Sequence, residues 1–268
     1  MQRLSSGLRI NTAADDSAGL AISENMRGQI RSMNQASKNA NDGISLIQTA
    51  EGSLNETSAI LVRMRELATQ SATGTVGSTE RSYIQGEMNK LSSEIDRIAQ
   101  STEFNGQHLL NGTLSGGAAK INTMTFQIGA RNNTNNDTID LNVTDTSTKA
   151  IFLNKTDTVT LNNVSTTGVL NVSDQTSAQK ALDTLDSAII SISKERSNLG
   201  ATQNRLQSTL NNLQVAVENT SASESRIRDV DVASETAIMT RNNILTQAGT
   251  SILSQANQAP QQALSLLK

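Results

Sequence analysis

Residues 16–70 read DSAGLAISENMRGQIRSMNQASKNANDGISLIQTAEGSLNETSAILVRMRELATQ, and the period of their apolar residues decides the fold. Taken in sevens from Met26, the positions hold Met26, Met33, Ala40, Ile47, Leu54, Leu61 and Ala68, all apolar. Ile22, Ala36, Ala50 and Met64 widen the row on one side, and Ile30 and Ile44 on the other. This is one stripe of an amphipathic helix with a period close to a heptad. No proline interrupts it. At about 1.5 Å per residue the helix is expected to be roughly 80 Å long.

A stripe of that length cannot be left in water, so it predicts partner helices of similar length. Gly19, Gly28, Gly43 and Gly52 lie within it, and each interior glycine costs about 1 kcal/mol against alanine. Packing has to supply the difference. Small residues on a rod also let neighbouring helices approach closely, which suits a bundle or an assembly.

Composition narrows the function classes. A chain of 268 residues holds one or two domains and a sizeable core. The net charge of −3 argues against a nucleic-acid partner, which calls for a concentrated basic face. Aromatic content is 1%, with Tyr83 the only tyrosine and no tryptophan, less than a compact core usually recruits. Cysteine is absent, so thiolate chemistry and disulfides are excluded. No apolar run reaches the length of a membrane span, and Met1-Gln2-Arg3-Leu4-Ser5-Ser6 lacks the apolar core of a secretory signal peptide.

Outward from the long helix, residues 1–15 lack a period and read as an extended or turn-rich linker ending in a cap at Asp15 or Asp16. On the other side, Thr73-Gly74-Thr75-Val76-Gly77-Ser78 is a loop signal. A second helix opens at Ser78 or Thr79 with the seam Ile84, Met88, Leu91, Ile95 and Ile98, antiparallel to the first because the connection is short. Asn105-Gly106 and Asn111-Gly112 are turn dipeptides. The chain then turns to Thr, Asn and Val. Thr125–Gly129 and Thr138–Val143 alternate with period two around an Asn-rich stretch, which predicts a β-hairpin; 159–161 and 169–172 are weaker strand signals.

Helix returns near Ser177. At positions 182, 185, 189, 192, 196, 199, 203, 206, 210, 213 and 217, nine of the eleven residues are apolar, Arg196 and Gln203 being the exceptions. The polar stretch Ser221–Asp231 predicts a bend, and a last helix follows from about Val232. Its apolar row is Ile238, Leu245, Ile252 and Ala259, with Pro260 expected to end or kink it. No fourth long helix is left to cover that row. The fold class is therefore mainly α: an elongated antiparallel bundle of long, coiled-coil-like helices, with a small β-hairpin region and a C-terminal helix.

Several motifs in order carry a family resemblance. Leu4-Ser5-Ser6-Gly7-Leu8-Arg9-Ile10-Asn11, Ala13-Ala14-Asp15-Asp16 and Gly19-Leu20-Ala21-Ile22-Ser23 resemble the N-terminal region of bacterial flagellins. So do 41–52, Arg65-Glu66-Leu67-Ala68, Phe104-Asn105-Gly106, Phe126–Ala130 and Ala256-Asn257-Gln258 with Pro260. The likeness covers both ends of the chain and lapses across about 113–175. It implies the filament subunit of the bacterial flagellum, a secreted, extracellular structural protein exported by the flagellar type III route without a cleaved signal peptide. The related alternative is a hook–filament junction protein.

The same resemblance implies an organisation. Residues 1–15 are a linker; 16–112 and 177–222 give the helices of an inner rod domain; 113–176 is its variable β-rich part; 223–268 is the C-terminal half of a terminal filament-core domain. Flagellins usually carry a longer stretch before the LSSGLRIN motif, so a helical mate for the C-terminal helix is expected to be missing. Implied partners are other flagellin subunits, an export chaperone on the face of Ile238, Leu245 and Ile252, and the filament cap and hook-associated proteins. Arg63, Leu67 and Glu87 match the face of similar flagellins read by Toll-like receptor 5, although Val62 stands where a glutamine is frequent.

No enzymatic reading is supported. His108 is the only histidine, which excludes histidine-based triads and HExxH zinc sites. Asp15-Asp16 and Asp229/Asp231 read as caps and bend residues, since no full calcium loop follows either pair. No cofactor or metal is expected. Insertion into membranes is a competing class, and short apolar runs with low hydrophobicity argue against it.

Overall fold

A cap, not a breaker, sets where the longest helix begins. In the computed structural model Asp16 Oδ1 accepts the Gly19 N–H at 2.9 Å, and α2 runs from Ser17–Ala72. The structure describes residues 1–113, 123–131, 133, 136–152 and 169–266, with 257–266 as backbone alone. Just before the cap, Asp15 Oδ2 accepts the N–H groups of Thr12 and Asn11 at 3.0 and 3.2 Å and the Thr12 hydroxyl at 3.1 Å. These bonds, led by that from the Thr12 N–H, hold the Asp15 carboxyl below its ordinary value.

The chain divides into two compact units, Met1–Ser32 with Val215–Lys268, and Met33–Gln214. The predicted stripe is buried only in the second. Ala40, Ile47, Leu54, Leu61 and Ala68 are all buried there, flanked by Ala36, Ala50 and Met64; Met26 and Met33 are half-buried, and Ile22 is exposed.

In the second unit, α3 (Ser78–Ser101) runs back along α2. Arg81 fixes the turn between them: its Nε donates to Ser71 O at 2.9 Å and its Nη2 to Thr73 O at 3.0 Å, satisfying carbonyls at the end of α2. Of the predicted seam, Ile84, Met88 and Ile95 are buried, while Leu91 and Ile98 are half-buried. A two-residue turn of Asn105 (φ 52°) and Gly106 (φ 76°) then joins β1 (Glu103–Phe104) to β2 (Gln107–His108).

The hairpin forms as its alternation predicts. β3 (Thr123–Gln127) pairs antiparallel with β4 (Thr138–Asn142), Thr125 opposite Asp140 and Phe126 opposite Ile139. One face carries Met124, Phe126, Ile139 and Leu141 into the core, and Asn39 of α2 donates to Gln127 O at 3.0 Å. A β-carbon on Gly43 would sit 3.2 Å from Leu206 Cδ1 and 3.3 Å from the Phe126 ring. This glycine is where α2 admits both the hairpin and the returning helix. Gly28 and Gly52 have open space and serve no such approach.

After β4 a one-turn helix, α4 (Thr148–Phe152), was not expected from the sequence; five residues carry too little pattern to show. The weaker strand signal at 159–161 lies outside the described residues. That at 169–172 forms no strand longer than a single bridge. It is held as a peptide by Gln85 instead, whose Nε2 donates to Leu170 O at 2.9 Å and whose Oε1 accepts the Val172 N–H at 2.7 Å. Leu170 and Val172 are fully buried, each such side chain contributing about 1.5–3 kcal/mol if its whole area leaves water.

The returning helix, α5, spans Gln175–Arg228. Leu185, Ile192, Leu199, Leu206 and Leu210 of the predicted seam are buried, and Leu182 and Ile189 lie at its border. Ala178, Ala181, Ala188 and Glu195 fill the remainder. The expected bend over Ser221–Asp231 is confined to its end, since α5 continues to Arg228. Polarity alone does not break a helix, and 221–228 holds neither glycine nor proline.

In the first unit, residues 2–6 are helical where an extended linker was expected. This is α1 (Gln2–Ser6), closed by Gly7 in the left-handed region at φ 70°. It packs beside α6, which spans Val232–Leu266. The backbone of α6 thus passes through Pro260 instead of ending there, so the proline removes one helical hydrogen bond without stopping the helix.

Candidate functional site

The LSSGLRIN motif is placed by the joint between α5 and α6. Arg9 N–H donates to Arg228 O at 2.6 Å, Val230 N–H to Gly7 O at 3.1 Å, and Leu8 bridges Asp229. Arg9 Nη2 reaches Ile227 O at 2.7 Å, satisfying a carbonyl near the end of α5. Arg228 in turn donates to Glu24 of α2 at 2.5 Å, and Arg27 donates to the same carboxylate oxygen at 2.8 Å. These bonds, that from Arg228 foremost, lower the Glu24 carboxyl below its usual value. Sequence reasoning missed Glu24 and Arg228. Nothing in the order of the chain announces a contact between residues 204 positions apart.

Beyond this joint, Asp231 Oδ1 caps α6 by accepting the Ala233 and Ser234 N–H groups at 3.0 and 3.2 Å. The cap launches a helix whose large apolar side chains face solvent. Ile238 is 44% exposed, Leu245 61% and Ile252 64%; Ile244 and Leu253, not singled out from the sequence, are 60% and 64% exposed. They widen a strict seven-residue row into a broader face. A shallow groove runs along its first half between Ala233, Ala237, Thr240 and Ile244.

The second surface lies on α2 and α3. Arg63 donates through Nε and Nη2 to Glu87 Oε1 at 3.2 and 3.0 Å and through Nη1 to Glu66 Oε2 at 2.9 Å. The carboxylates, Glu66 first and then Glu87, raise the Arg63 guanidinium above its ordinary value. Both Arg63 and Glu87 are about half exposed. Leu67 does not stand with them. It is 2% exposed and belongs to the core, because it lies on the same side of α2 as Met64 and Ala68. The accessible surface here is Arg63, Glu66 and Glu87, with the exposed Val62 beside them.

His108 lies exposed on β2. Among the described residues no group of three or more His, Cys, Asp or Glu side chains could hold a metal ion, and no helix is long and apolar enough to cross a membrane.

Against this geometry the comparisons with known proteins are specific. Residues 1–115 match the model of the bacterial flagellin N-terminal helical region, and residues 182–267 that of the C-terminal helical region. The chain belongs to the bacterial flagellin family. It is 48% identical over 281 residues to a flagellin of Bacillus subtilis and 47% identical over 272 residues to the flagellar filament 33 kDa core protein of Treponema phagedenis. Each of these comparisons covers 100% of the chain and 91% of the relative. Among solved structures, Bacillus cereus flagellin matches with a TM-score of 0.52 and 33% identity over 66% of this chain and 88% of that one. A putative flagellar hook-associated protein of Vibrio parahaemolyticus shares the fold at a TM-score of 0.62 with 14% identity, over 80% of this chain and 100% of that one.

As a flagellin the chain is a structural subunit that polymerises with its own kind into the flagellar filament, an extracellular assembly. The similarity to filament proteins over the whole chain favours this over the hook–filament junction alternative.

Proposed function

We propose that the exposed apolar face of α6 is the surface by which this filament subunit packs against neighbouring subunits, and that an export chaperone occupies it before assembly. The observation that supports this is the row Ile238, Ile244, Leu245, Ile252 and Leu253 on one helix, each between 44% and 64% exposed. Apolar surface of this extent is stabilised by burial, at about 25 cal/mol per Å² removed from water. An amphipathic helix with anchors at this spacing fits a partner's groove or another helix. The same chemistry would serve contacts with the filament cap and hook-associated proteins. The functional cycle is one of export by the flagellar type III route and assembly without catalysis.

In the same reading Arg63 and Glu87 form the charged centre of a face recognised by Toll-like receptor 5, with Leu67 supporting the helix from beneath. The half-exposed ion pair supports the first part, and the burial of Leu67 supports the second.

The test is the double substitution Leu245→Asp with Ile252→Asp. Salt-induced polymerisation followed by sedimentation should yield no filaments, and calorimetry should show no binding of the chaperone, while the thermal transition of the monomer is unchanged. Filaments at wild-type yield from this variant would remove the assembly assignment.

A further inference from the structure

Of the two Asn-Gly pairs, Asn111-Gly112 sits in a setting with the parts of an acyl-transfer site. Asn111 Oδ1 accepts two hydrogen bonds from Thr113, from its N–H at 3.0 Å and its hydroxyl at 2.5 Å. Two donors on one amide oxygen polarise the Cγ carbonyl and stand where negative charge would develop on attack. The attacking atom is the next backbone nitrogen, that of Gly112. Its N–H has no acceptor among the described residues. Gly112 has φ 76°, a backbone conformation strained for any other residue, and a β-carbon there would sit 3.1–3.3 Å from Asp145 Cβ, Cγ and Oδ2, so that side chain lies beside the glycine. Asp145 is itself held, its Oδ1 accepting the Ser147 N–H at 2.9 Å.

We propose that Asn111-Gly112 is a self-modifying site at which the Asn111 carboxamide is converted to a carboxylic acid through a cyclic imide. The Gly112 nitrogen gives up its proton to hydroxide from solvent and forms a bond to Asn111 Cγ. The oxygen of the tetrahedral intermediate is held by the two Thr113 donors. The bond from Cγ to the side-chain nitrogen then breaks, the proton passes to the leaving group, and ammonia departs. Water opens the five-membered ring at either carbonyl, giving aspartate or isoaspartate. The net change is amide and water to acid and ammonia, with nothing oxidised or reduced. Proximity is built in, because nucleophile and electrophile belong to adjacent residues and need no encounter.

The modification has a structural consequence. Isoaspartate adds a methylene to the backbone next to Leu110, whose carbonyl accepts the Thr146 N–H at 2.9 Å and the Thr146 hydroxyl at 3.2 Å. It also sets a second carboxylate near Asp145. A filament subunit that ages at this position would loosen the contact between 110 and 146.

Asn105-Gly106 is the internal control. It forms the two-residue turn of the β1–β2 hairpin, with Asn105 at φ 52°, and no donors among the described residues are fixed on its side-chain oxygen. The experiment is to hold the whole protein at pH 8 and 37 °C, native and in urea, and to follow both asparagines by peptide mapping with isoaspartate detection. In the native chain Asn111 is expected to convert at least as fast as in the unfolded chain, and Asn105 several-fold slower than in the unfolded chain. Thr113→Val, which keeps the backbone donor and removes the hydroxyl, should slow the native Asn111 reaction several-fold and leave its rate in urea unchanged. Native protection of Asn111 relative to urea would overturn the proposal, as would a native rate untouched by Thr113→Val.

Discussion

Glu195 of α5 accepts two hydrogen bonds from Thr144, the N–H at 3.2 Å and the hydroxyl at 3.0 Å, and is only 4% exposed. Four residues on, Asp96 of α3 takes the Thr148 N–H and hydroxyl at 2.8 and 2.9 Å. The chain leaving β4 is thus stitched to two helices by two carboxylates, each receiving a backbone and a hydroxyl donor from one threonine. Glu195→Ala removes the acceptor of both bonds, but Thr144 is itself exposed and its donors can turn to water, so the loss should be about 0.5–1.5 kcal/mol per hydrogen bond. The urea midpoint should fall accordingly, and Glu195→Gln, which keeps one acceptor, should fall less. An Ala variant with the wild-type midpoint would show the pair is dispensable.

The glycines of α2 should separate by what surrounds them. Gly52 has nothing within 4 Å of the place an added β-carbon would take, so Gly52→Ala should gain the helix-propensity difference of about 1 kcal/mol. Gly43 meets Leu206 at 3.2 Å and Phe126 at 3.3 Å, so Gly43→Ala should gain none of it, and Gly43→Val should destabilise by displacing the hairpin. Equal stabilisation by both alanines in urea titrations would mean that Gly43 is not a point of close approach.

Leu67 and Arg63 should divide between stability and surface. Leu67→Ala opens a cavity in a packed core and is expected to cost about 2–5 kcal/mol. Arg63→Ala removes an exposed, salt-screened pair and should leave the thermal midpoint within scatter. Any loss of receptor signalling by the Leu67 variant therefore has to be read beside its melting curve. A Leu67→Ala chain of wild-type stability would put this side chain back on the surface.

The parts of this fold that were legible in the sequence are those where one periodicity runs long enough to outweigh local noise. The heptad row of α2 and the leucines of α5 specify which face is buried, and the alternation around 125–129 and 138–143 specifies the hairpin. What periodicity does not reveal is where a row stops being covered. Met26 and Ala40 are equivalent in the heptad, yet the first is half-buried and the second fully so. Nor does it mark polar residues inside: Glu195 sits one position from the anticipated Arg196 and is explained only by Thr144, a residue 51 positions away. The candidate surfaces follow the same division. The exposed row of α6 was readable from its spacing, whereas the burial of Leu67 needed the packing of three helices to settle which way it faces.

The contact of Glu24 with Arg228 should respond to acid. The Glu24 carboxyl is lowered chiefly by the hydrogen bond from Arg228 and secondarily by that from Arg27. A carboxylate lowered in the folded state contributes stability above its unfolded value, about 4.3 for glutamate, and that contribution is lost as the pH falls through the folded value. Acidification below about pH 4.3 should therefore loosen this contact, while changes nearer neutrality leave it alone. Because Glu24 is half exposed, added salt should weaken the effect. Carboxyl NMR titration should place Glu24 below the usual range in the wild type and return it toward about 4.3 in Arg228→Met, with a smaller return in Arg27→Met. Asp15, lowered mainly by the backbone of Thr12, should not move in either variant. A Glu24 midpoint that is the same with and without Arg228 would mean that the bond between them does not persist in solution.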